Sequence, residues 1–82
     1  MQRYMIIERF SPDQLDAIYK RLQDKGRMLP EGLHFVDSWL TRNNSTVYQL
    51  METDDPALLA LWQTYWDDLV AFEVHTLRDK PD

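Results

Sequence analysis

Hydrophobic residues follow two rhythms along this chain, one with the period of a strand and one with that of a helix. Residues 3–10, RYMIIERF, are dense in strand formers. The sequence SPDQ that follows has the parts of a helix start. Ser11 is a cap, Pro12 suits the first turn, and Gln14 completes an S-x-x-Q capping box. Leu15, Ile18, Tyr19 and Leu22 then recur at helical spacing and predict one apolar stripe. Lys20, Arg21, Lys25 and Arg27 gather late, where the helix dipole favours cations, and Gly26 predicts a left-handed stop. A turn at LPEG leads to a second predicted strand, Leu33 to Thr41. RNNS reads as a hairpin turn into a third strand, Thr46 to Thr53. TDDP starts a second helix, with Asp54 or Asp55 capping, Pro56 in the first turn, and Leu58, Leu61, Trp62, Tyr65 and Leu69 as its buried stripe. The last strand is predicted at Val70 to Leu77. Residues 1–78 are expected to form one domain and 79–82 a frayed tail.

The order βαββαβ predicts an α+β, ferredoxin-like protomer, with a four-stranded antiparallel sheet and both helices on one face. The other sheet face is then left open, and strand parity sorts the side chains between the two. Met5, Ile7, Val36, Leu40, Val47, Met51, Phe72 and Val74 suit the helix side, with Gln49 a polar residue among them that needs a partner. An even hairpin pairs residues whose numbers sum to 87: Trp39 with Tyr48, Asp37 with Leu50, Phe35 with Glu52. Tyr4, Ile6, Phe35, Trp39, Tyr48, Leu50 and Leu77 would then share the open face with Glu8, Asp37, Glu52, Glu73 and His75. A bulge would invert part of this assignment. So much apolar surface predicts a cover, and a two-fold homodimer through this face supplies one with a single patch.

Composition narrows the possibilities. The chain has 82 residues, 44% of them hydrophobic and ten aromatic, enough for a core. No cysteine is present, which excludes disulfides and thiolate chemistry. A net charge of −5 and dispersed basic residues argue against nucleic acid as a partner. No apolar run reaches the ~20 residues of a membrane helix, and no basic-then-apolar leader follows Met1, so a cytoplasmic protein away from membranes is expected.

The segments IERF, GRMLPEGL, VDSW and QLMETDDPALL, followed by W, DLV and FEV, resemble the uncharacterised bacterial family called domain of unknown function 3303 (DUF3303) over nearly the whole chain. That family is similar to the dimeric α/β-barrel superfamily. The superfamily includes cofactor-independent monooxygenases, haem-degrading enzymes and isomerases, with sites between sheet and helices or inside the barrel. The resemblance implies a fold and a location, and no catalytic residue transfers by motif.

Candidate chemistry therefore rests on side-chain types. Glu8 and Glu73 are expected near each other on adjacent antiparallel strands, with Glu52 on a neighbouring parallel strand. In a dry cavity these carboxylates and His75 form a candidate acid–base set; paired with Arg3, Arg9 or Arg27, or wet at a rim, they are structural. Tyr4, Phe35, Asp37, Trp39 and Tyr48 are candidate ligand contacts, and Arg27 is a candidate anion contact or a helix-end charge. Two or three Glu and His side chains make a weak metal signal, and no metal or cofactor is expected. Phosphate loops, HExxH and G-x-S-x-G are absent. Two readings remain open. One is a homodimeric barrel that binds a small, mostly apolar organic molecule, with cofactor-free acid–base or oxygenation chemistry. The other is an interaction module whose aromatic face serves dimerisation alone.

Overall fold

The computed structural model describes residues 1–78, so the tail expected at 79–82 lies outside the described residues. Its elements are β1 (Gln2–Arg9), α1 (Leu15–Lys25), β2 (His34–Leu40), β3 (Thr46–Thr53), α2 (Ala57–Thr64) and β4 (Ala71–Thr76). The strands form one sheet in the order β2-β3-β1-β4, and every neighbouring pair is antiparallel. With two helices packed on the sheet, this is the ferredoxin-like βαββαβ fold.

Local signals place the boundaries. The Gln14 side chain accepts from the Ser11 amide at 3.1 Å and opens a short 3₁₀ turn, Pro12–Gln14, that feeds α1. Gly26 ends α1 at φ +66°, its amide bonded to the Leu22 carbonyl. Asn44 takes φ +60° in the hairpin turn. The Asp55 carboxylate accepts from the Ala57 amide at 3.0 Å where α2 begins.

The core lies between sheet and helices. Tyr4, Ile6, Leu33, Met51, Leu59, Trp62 and Trp66 are buried there, with Ile18 and Leu22 of α1 packed against them. The Phe72 and Trp62 rings pack edge to face, their centroids 5.4 Å apart.

Four expectations are corrected. First, β1 presents its even positions to the helices: Tyr4 and Ile6 are core, and Glu8 lies on the same side. Met5 and Ile7 take the open face. Apolar residues occupy both parities of this strand, so charge decides. Turning Glu8 outward would force both Arg3 and Arg9 inward, and two buried cations cost more than one carboxyl that can take up a proton.

Second, a bulge at Val36 breaks the even hairpin. Asp37–Leu50 and Trp39–Tyr48 pair as expected, but Phe35 faces Met51 and His34 faces Glu52. Phe35 therefore lies on the helix side. Third, β3, which carries Glu52, is antiparallel to β1, and Glu52 pairs with Arg3 at the far end from Glu8.

Fourth, the buried stripe of α2 and the turns after it is rotated by about one position. Leu59, Trp62 and Trp66 are inside, while Leu61 and Tyr65 face out at 44% and 40% exposure. The indole N–H groups explain the rotation, because both find the same carbonyl on the inner side. On α1, Tyr19 is likewise half exposed.

Candidate functional site

The candidate site is a cavity of about 130 Å³ between the helices and the sheet. Its floor is made by sheet positions of one parity: Glu8 from β1, Ser38 and Leu40 from β2, Val47 and Gln49 from β3. Ile18, Tyr19 and Leu22 of α1 form one wall, and Trp62 and Trp66 another. Arg27, from the connector after α1, completes it.

Three polar groups give this apolar space its character. Glu8 has one carboxyl oxygen, Oε2, that is buried and has no hydrogen-bond partner. Burial pushes its pKa from 4.5 up to about 7, against a smaller opposing pull from the Arg27 charge. Gln49 is buried, and its amide donates to the Met51 sulfur at 3.3 Å, a weak partner that fills only part of its capacity.

Arg27 is held unusually firmly. Its carbonyl accepts both indole N–H groups, from Trp62 at 2.9 Å and Trp66 at 3.2 Å. It sits between two residues of positive φ, Gly26 at +66° and Met28 at +57°. Its guanidinium lies 3.7 Å from the Phe35 ring centroid.

The other expected site residues are dispersed. Tyr4 is part of the core. Glu52 pairs with Arg3 at 3.7 Å on the open face. Glu73 pairs with Arg9 at 2.7 Å and with His75 on that same face. Arg9, and then His75, hold the Glu73 carboxyl below its usual range. Asp37 accepts from the Ser38 amide at 2.8 Å, while Trp39 and Tyr48 are exposed cross-strand neighbours. Glu8 is thus separated by the sheet from the carboxylates it was grouped with. Arg27 and Phe35 join it on the helix side.

Ser38, Gln49, Trp62 and Trp66 belong to the cavity and were not among the expected site residues. Gln49 carried a signal, since a polar side chain on a core parity needs a partner. The two tryptophans at i, i+4 read equally well as ordinary core, and only the shared Arg27 carbonyl distinguishes them. Among the described residues, no group of three or more His, Cys, Asp or Glu side chains is placed to hold a metal ion.

A ferredoxin-like sheet with a cavity under its helices defines the structural class. The sequence profile of the domain of unknown function DUF3303 matches residues 2–80, and the chain belongs to that family. Among solved structures, a crystal structure of an antibiotic biosynthesis monooxygenase superposes with a TM-score of 0.61 at 18% identity, covering 99% of this chain and 100% of that one. At that identity the likeness is one of fold. No curated protein matches the sequence. No helix among the described residues is long and apolar enough to cross a membrane.

Proposed function

We propose that this protein binds a small, mostly apolar organic molecule in the cavity between sheet and helices, and that Glu8 transfers protons there. The observation that carries the reading is the buried, unpartnered Oε2 of Glu8 on the floor of a mostly apolar cavity. Burying such a group without a partner works against folding, and a ligand would supply what the protein does not. A carboxyl that titrates near neutral pH can both accept and return a proton, as cofactor-free isomerisation or enolisation requires. Arg27 would stabilise negative charge that develops on the substrate.

The open sheet face serves a different purpose in this proposal. Met5, Ile7, Trp39, Tyr48 and Leu50 form a patch that a second copy covers, giving a cytoplasmic homodimer. Cavity and patch lie on opposite sides of the sheet, so ligand binding and dimerisation are compatible.

Native mass spectrometry of untagged protein from its own host tests the reading. The expected result is a dimer carrying a stoichiometric organic mass that is lost in Trp62→Ala and kept in Glu8→Gln, whose loss is of proton transfer rather than of binding. A bare dimer that also takes up no small aromatic molecule added to it would favour the interaction module instead.

A further inference from the structure

We propose that the cavity selects a small organic monoanion, a carboxylic acid with a one-ring or short branched apolar body. Its head pairs with Arg27, and its binding places a proton on Oε2 of Glu8. This rests on the functional reading above and adds to it the ligand's charge and a coupled proton.

Arg27 is free to take an anion: none of the ion pairs among the described residues includes it. Two indole hydrogen bonds fix its carbonyl, and the Phe35 ring backs its guanidinium. A guanidinium seated over an aromatic face keeps N–H groups for a partner, and a carboxylate matches two of them with parallel hydrogen bonds.

Charge balance inside the cavity couples the anion to a proton. Arg27 and Glu8 are its charged lining groups, Tyr19 adds a phenol, and Ser38 and Gln49 are neutral. An entering carboxylate takes up the Arg27 charge that had favoured ionised Glu8, and adds a like charge beside it. Both effects drive Glu8 to its neutral form. The occupied site then holds one cation, one anion and one neutral carboxyl. The new O–H donates from the oxygen that otherwise lacks a partner.

Size and wall chemistry set the rest. A cavity of about 130 Å³ is of the order of the ~150 Å³ that holds benzene in an engineered protein. Leu22, Leu40, Val47 and the two indoles present apolar surface to the ligand's body.

The test follows the Trp62 and Trp66 indole N–H signals by NMR during titration with benzoate, benzamide and toluene at pH 6 and pH 8.5. Benzoate is expected to bind more tightly than benzamide at pH 6. Its dissociation constant should rise about ten- to thirty-fold by pH 8.5, as neutral Glu8 becomes scarce. Arg27→Gln should abolish the preference for benzoate. Glu8→Gln, a permanent neutral donor, should keep benzoate binding and flatten its pH dependence. Benzamide binding as tightly as benzoate, or benzoate binding independent of pH, would overturn the inference while leaving the cavity reading intact. Indole signals unmoved by all three probes would overturn both.

Discussion

A carboxyl group buried without a hydrogen-bond partner opposes folding whenever it is ionised, and Glu8 is in that position. Its folded pKa of about 7 lies above the ordinary 4.5. The stability it contributes is therefore complete below about pH 4.5 and is lost as pH rises through 7. At ~1.4 kcal/mol per unit, the change is about 3 kcal/mol. Glu8→Gln removes this titration. The stability of the variant relative to the parent should rise by about that amount between pH 4 and pH 8. Urea denaturation of both proteins across that range checks it, because the difference cancels every other titrating group. A constant difference would mean that Glu8 is better solvated than its geometry indicates.

Of the two helices, α1 is the more loosely seated, since none of its residues is fully buried, whereas α2 buries Leu59 and Trp62. Ile18 and Leu22 touch the core, and Arg21 provides the polar fastening. Its two guanidinium nitrogens reach both Asp68 oxygens at 2.7 Å, and one also reaches the Tyr65 carbonyl at 3.0 Å. Arg21→Ala should speed amide hydrogen exchange in α1 while leaving the central strands β1 and β3 protected. Equal acceleration everywhere would mean that α1 opens only with the whole fold.

Element order and most boundaries were legible in the sequence because caps and turns are local: Gln14, Gly26, Asn44 and Asp55 each act within a few residues. Sheet faces were less legible. β1 is apolar on both parities, and its orientation follows from Arg3 and Arg9 finding Glu52 and Glu73 across the open face, which are long-range pairings. The bulge at Val36 has no glycine or proline to mark it. Of the candidate site, Glu8, Arg27 and Phe35 come together, but behind the sheet, because those two local ambiguities decided which side they occupy.

At the scale of the whole molecule, the cavity and the open face use alternate residues of the same strands. Trp39→Ala should weaken the proposed dimer about tenfold or more, the order of effect of truncating an interface tryptophan that acts as a hot spot. Ligand retention in the cavity should be unaffected. Analytical ultracentrifugation combined with native mass spectrometry reads both outcomes, and loss of the ligand together with the dimer would show that the two faces are coupled.

The sheet is a partition between a cavity and an open face. In β1, inheritance acts on them separately: a change at position 6 or 8 alters what lies under the helices, and a change at position 5 or 7 alters the open face. On the proposed function, a lineage can therefore exchange one cargo for another while keeping its pairing partner, or change partner while keeping the cargo. The same interleaving guards the register. A slip of one residue in β1 would send Arg3 and Arg9 beneath the helices and strand Tyr4 and Ile6 outside, spoiling both surfaces at once.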